Sequence, residues 1–342
     1  MKIDHSFLPY FYECCGQSIS IEVSKPDIDK IKKIGREFNQ SYYNDHSQFL
    51  QKINHMQYAD LIIIKNAYLT VNFYYLSDQP EIQLASIIIH IINTMLSFFK
   101  IKRNTLDLYA FFTDQERVID CNILFNSKKL KEKSEGFVVG GVTNFTKNRI
   151  ILTKKEGIFT LLIHEICHYL DEDDKKKYHS ELISLIDSVD DHFESYEVVA
   201  ESKAILFYSA YLAFIGTSSY NDFVAEYDKN IMDELLYSYS LSKKIISLYG
   251  VKPEDFFNPS QKKRMKQPVM LFEYIIYRTM YLPYLIGDIK TSKLPDINED
   301  VFMKMIKHVD VIDDNNVSYS LHKIGIMPDL YHNFWKIYTL ID

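Results

Sequence analysis

The sequence predicts a helix-rich α+β fold, and three observations predict it. Gly and Pro are scarce, 10 and 9 in 342 residues, which argues against a loop-rich β-sandwich. Short β-branched and aromatic runs cluster in the first half of the chain. From Glu181 onward the apolar residues recur at helical spacing, so the C-terminal half reads as helices.

Taken in order, Lys25 to Phe38 has helical spacing. Leu61 to Ile64 and Ala67 to Leu76 have the content of strands. Pro80 opens a helix that runs to about Lys100, with the proline at its start, where a missing N–H costs nothing. Thr105 to Thr113 alternates and reads as a further strand. The charged stretch from Ser127 to Glu135 is a loop and the best place for a boundary, dividing an α+β region 1–135 from a region 136–342 with a helical C-terminal part. Two apolar runs then flank Gly140-Gly141 and the polar turn at Thr146 to Asn148; Arg149 to Thr153 is a short strand, and Lys154 to Gly157 connects it to a helix. The later helices are Ser180 to Val189, Asp190 to Ile215 ended by Gly216, and Asn221 to Tyr249 ended by Gly250. Pro268 to Leu285, Val301 to Val309 and Leu330 to Leu340 complete the set. No internal repeat is visible.

Composition narrows the function classes. The net charge of −7, from 46 acidic and 39 basic side chains, provides no electrostatic footprint for nucleic acid. Ile82 to Phe99 carries no formal charge, but it holds Gln83, Ser86, His90, Asn93, Thr94 and Ser97, which would be costly in lipid, so it is expected to be a buried helix and not a membrane span. The first residues have no apolar stretch of signal-peptide type. The four cysteines, Cys14, Cys15, Cys121 and Cys167, form no Cys-x-x-Cys pair and suit a reducing, intracellular setting. Oligomeric state is not legible.

The chemistry is concentrated in His164-Glu165-Ile166-Cys167-His168, an HExxH pattern inside an apolar run. On a helix, residues four apart share a face, so both imidazoles can reach one metal ion while Glu165 stands beside them as a base for the attacking water. A catalytic zinc site needs a third protein ligand. The tail HExxHxxGxxH is excluded, because the third and sixth positions after His168 are Asp171 and Asp174. A following helix offers Glu194, Glu197 and Glu201 along one face, three or four residues apart, where a divalent cation would offset their repulsion. His179 and His192 lie between the two motifs as further candidates. Cys167 points away from the ligand face and reads as a small buried hydrophobe.

HEICH followed by Glu197-Val-Val-Ala-Glu201 resembles the gluzincin metallopeptidases, whose HExxH is followed by ExxxD or ExxxE on a second helix. The resemblance covers roughly 140–204. It implies a zincin-like core with a short β-sheet beside the HExxH helix, and one Zn2+ per chain held by His164, His168 and Glu197. Glu201 then steadies a zinc-binding histidine, and Glu165 is the general base of peptide-bond hydrolysis; Glu194 and Glu201 stay open as alternative ligands. The strand-before-helix arrangement is also similar to uncharacterised metallopeptidase-like proteins of large DNA viruses. Arg278-Thr-Met-Tyr281 resembles the Arg-x-x-Tyr pair of clostridial neurotoxin light chains, which implies that Arg278 and Tyr281 stabilise the oxyanion; Tyr274, Tyr277 and His308 are alternatives. The expected partner is a peptide or protein substrate; in zinc peptidases the sheet edge beside the HExxH helix holds it by strand addition, and a simple core hairpin is the competing reading of that strand. Cys14 or Cys15 is a candidate latency ligand, and a silent zincin-fold binding protein is the competing reading.

Overall fold

The computed structural model describes residues 3, 5–42, 47–100, 105–113, 140–155, 157–171, 195–248 and 272–282. The expected loop at 127–135 lies outside them. So do Cys121, Asp174, His179, His192, Glu194, His308 and the expected helices at 180–189, 301–309 and 330–340. The chain divides into two compact units: Tyr10–Val118 with Ser134–Glu172, and Met1–Pro9, Ile119–Lys133 and Asp173–Asp342.

The first unit is built on a mixed sheet of six strands: β1 (Ser20–Ser24), β2 (Tyr58–Lys65), β3 (Thr70–Ser77), β4 (Thr105–Phe111), β5 (Gly141–Asn144) and β6 (Arg149–Leu152), in the order β1-β2-β3-β4-β6-β5. β3/β4 and β4/β6 are parallel, and the other pairs are antiparallel. The β5–β6 hairpin therefore continues the sheet begun by residues before 113. Its turn is set by Asn144, whose side chain accepts from the Lys147 N–H at 3.0 Å, and by Asn148, which takes a left-handed φ of 46°.

Each face of the sheet has its own apolar cover. α1 (Leu8–Cys15), α2 (Ile28–Tyr42), α3 (Ser47–His55), α4 (Ile82–Phe99) and α5 (Ile158–Asp171) are the helices from the first 171 residues. Phe38, Phe49 and Ile53 of α2 and α3 pack on Leu76, Tyr109 and Phe111 of one sheet face. α2 starts later than the expected Lys25, because Pro26 disfavours helix in the residue before it and Asp27 caps the helix. The Asp27 carboxylate accepts from the Asp29 N–H at 3.0 Å.

α4 is the buried helix expected at 80–100, ending at Lys100 in a left-handed cap whose N–H bonds the Leu96 carbonyl. Its polar residues hold neighbouring backbone. His90 Nε2 lies 2.8 Å from the Cys15 carbonyl, Asn93 donates to the Gln17 carbonyl, and the Tyr10 hydroxyl donates to the Ser97 carbonyl at 2.8 Å. By length and composition α4 and the stretch Tyr196–Ile215 are both apolar enough to cross a membrane, and most of each is buried inside the protein.

The second unit is helical among its described residues: α6 (Ser195–Ile215), α7 (Tyr220–Leu248) and α8 (Phe272–Tyr277), the last in π-type turns that continue as α-helix through 278–282. α6 stops at Gly216, whose N–H bonds the Leu212 carbonyl. Ser219 then caps α7 by accepting from the Asp222 N–H at 3.2 Å, while its hydroxyl donates to the Asp222 carboxylate. Beside these turns, the hydroxyls of Thr279 and Ser242 both donate to the Ile275 carbonyl, which ties the helix to α7.

Candidate metal centre

The connector between β6 and α5 is tied down on three sides, and this sets where α5 begins. Thr153 donates its N–H to the Gly140 carbonyl at 2.8 Å, and Lys155 donates its N–H to the Thr113 carbonyl at 3.1 Å. The Lys155 ammonium pairs with Glu81 at 2.7 Å. Gly157 then takes a φ of 65°, a left-handed conformation that a glycine adopts without penalty, and α5 starts at the next residue. From there α5 packs against β5, β6 and α4.

The HExxH residues occupy the inner face of α5. His164, Glu165 and His168 are each 5% exposed. The Nε2 atoms of His164 and His168 converge to 2.9 Å, with the rings edge to face. Cys167 is buried. Tyr169 and Ile166 are buried beside it and anchor the apolar side of the helix.

Glu165 lies against β5. The Thr143 hydroxyl is 2.7 Å from Glu165 Oε2 and 3.0 Å from the Glu165 carbonyl oxygen. A Cβ placed on Gly141 would stand 2.8 Å from Glu165 Oε1 and 2.9 Å from its Cγ, closer than side chains tolerate. Neither contact is expected from the motif, because 22 residues separate Thr143 from Glu165. The available signal was a glycine inside a strand, which marks close approach by another group.

His164, His168 and Glu197 form a group able to hold a metal ion, with one ligand atom from each lying within 4.8 Å of the others. Two imidazoles and a carboxylate make a nitrogen–oxygen donor set that suits zinc. The convergence of two ring nitrogens at 2.9 Å, buried together, suits a cation as well, since two bonds of about 2.0–2.1 Å to one ion require close nitrogens.

The remaining expected residues sit in the helical unit. Glu197 lies in the first turn of α6, and Glu201 follows one turn later. Glu201 accepts from Arg278 Nη1 at 3.0 Å. Arg278 Nη2 donates to Glu234 at 3.2 Å and to the Ser238 hydroxyl at 2.8 Å. Arg278 therefore links α6, α7 and the last helix through two carboxylates, itself only 6% exposed. Tyr281 and Tyr277 are buried. Cys14 and Cys15 are free and buried in α1, and burial raises both thiols above their ordinary pKa, which favours the protonated, unreactive form.

No protein-family model matches the chain, and no solved structure matches it. It is similar to an uncharacterized protein of Acanthamoeba polyphaga mimivirus, with 27% identity over 313 residues that cover 85% of this chain and 79% of the viral protein.

Proposed function

We infer that the chain is a zinc-dependent peptidase of the gluzincin kind, with His164, His168 and Glu197 as metal ligands and Glu165 as general base. The observation that carries the reading is the His-His-Glu group, because it supplies three ligands of the right type from the two motifs that the resemblance pairs. A divalent ion bound there would supply Lewis acidity and lower the pKa of water. The work left to the chain is to place a base and a substrate. Glu165 takes the proton of the attacking water and returns it to the leaving amine.

The edge strand supports a substrate that is a peptide. Gly140 faces β6 through its bond from Thr153, so along an antiparallel pair Val142 and Asn144 face β6 as well. The backbone groups of Gly141 and Thr143 then point away from the sheet, on the strand that touches Glu165. An extended peptide adding there would run beside the base.

The test uses zinc-loaded protein and a broad peptide library read by mass spectrometry. Wild type is expected to cleave, and Glu165→Gln is expected to keep its zinc and lose at least about 100-fold in rate. Cleavage by Glu165→Gln at the wild-type rate would overturn the assigned role. Zinc content without cleavage in any pool would point to a silent zincin-fold binding protein.

A further inference from the structure

We propose that Thr143 and Gly141 of β5 are positioning residues for Glu165, which together decide how its carboxylate is presented. The inference rests on the metallopeptidase reading above and names two residues that neither motif contains.

The hydroxyl of Thr143 has one proton, and two acceptors of Glu165 lie within reach, Oε2 at 2.7 Å and the main-chain oxygen at 3.0 Å. The ionised carboxylate oxygen is the stronger and nearer acceptor. That bond pins Oε2 toward β5 and fixes the side-chain torsions of a residue that is 5% exposed. Gly141 acts by what it lacks. Glu165 Oε1, Cγ and Cδ lie 2.8, 2.9 and 3.1 Å from the point where any Cβ at position 141 would stand. The side chain of Glu165 therefore occupies the room of a missing methyl, and any larger residue at 141 must push it elsewhere. Thr143 and Gly141 are two apart on the strand, so both face α5. One holds Oε2, and the other makes the space in which Oε1 sits.

The backbone of β5 has a second use in this arrangement. Position 141 offers its N–H and C=O outward while its Cα backs the base, so one strand aligns substrate and base together.

The experiment measures binding, so it does not depend on finding a substrate. Acetohydroxamate, a small zinc-chelating acid whose protons a neighbouring carboxylate can accept, is titrated into zinc-loaded wild type, Thr143→Val, Thr143→Ser, Gly141→Ala, Glu165→Gln and the double variant Thr143→Val with Glu165→Gln. Thr143→Val is expected to weaken the hydroxamate about tenfold, the scale of one charge-assisted hydrogen bond, at unchanged zinc affinity. Thr143→Ser keeps the hydroxyl and should stay within about twofold of wild type. Gly141→Ala should remain folded, because the atoms in its way belong to a movable side chain, and should lose affinity as Glu165→Gln does. The double variant should bind no more weakly than Glu165→Gln alone, since Thr143 acts only through Glu165. A merely structural threonine would give additive losses in that cycle. Wild-type affinity in Thr143→Val, or additivity, overturns this inference alone. Wild type that binds no zinc, or zinc without hydroxamate, overturns the metallopeptidase reading and this inference with it.

Discussion

At the scale of single residues, the chain shows how much a local pattern can and cannot carry. His164, Glu165 and His168 were legible because the helix repeat brings positions four apart onto one face. The contacts of Glu165 with Gly141 and Thr143 were not, because they depend on which strand the helix packs against. Asp60 is a second buried carboxylate that the sequence did not single out. Burial is the largest single influence on it and raises its pKa, but the donors Lys25, Tyr58 and Tyr75 together outweigh burial and hold it below the ordinary carboxylate value. The Tyr58 and Tyr75 hydroxyls donate to Oδ2 at 2.8 and 2.9 Å. Unfolded, the group titrates near 3.9. Between that value and the lower folded one the unfolded chain binds more protons, so the stabilisation is whole above about pH 4 and is lost as pH falls through the folded value. Asp60→Asn is expected to cost about 1–3 kcal/mol at pH 7 and to flatten the acid limb of stability. Urea titrations at pH 7 and pH 3 check this; an equal cost at both would contradict it.

At the scale of elements, capping residues and breakers were legible and exposed or helix-covered short pieces were not. Gly216 marks the end of α6 in the sequence as it does in the structure. β1 escaped notice because all five of its residues are exposed, leaving no alternating burial to read. α1 and α3 escaped because eight or nine residues carry too few turns for a clear periodicity. Arg278 entered the reading as an oxyanion partner through a four-residue resemblance. Its hydrogen bonds run to Glu201, Glu234 and Ser238, which join three helices. Arg278→Met would leave the buried Glu234 and the half-buried Glu201 without that cation, and is expected to destabilise by about 3–5 kcal/mol. A variant that also carries Glu201→Gln and Glu234→Gln removes the stranded charges and should recover part of the loss. Chemical denaturation of the two proteins decides it. A loss below about 1 kcal/mol in Arg278→Met would show the clamp to be slack.

At the scale of the whole chain, fold class followed from composition and periodicity, while pairing order did not. β4 lies between β3 and β6, so strands far apart in sequence are neighbours, and no repeat of period two reports which strand sits beside which. The apolar stretch 82–99 was readable as a buried helix because its polar groups had to find partners, and they hold the carbonyls of Cys15 and Gln17. If metal binding is coupled to the folded state alone, free zinc at a hundred times its Kd adds about 2.7 kcal/mol of stability, and a chelator removes it. Thermal melts with and without chelator should differ in wild type and coincide in His164→Ala.

The most direct test of the central claim is elemental analysis of purified chain after loading with zinc and removal of excess. The account predicts one zinc per chain in wild type, and none retained in His168→Ala or Glu197→Ala, each checked for folding by circular dichroism. A folded wild type without zinc, or zinc retained in full when Glu197 is removed, would contradict the three-ligand site.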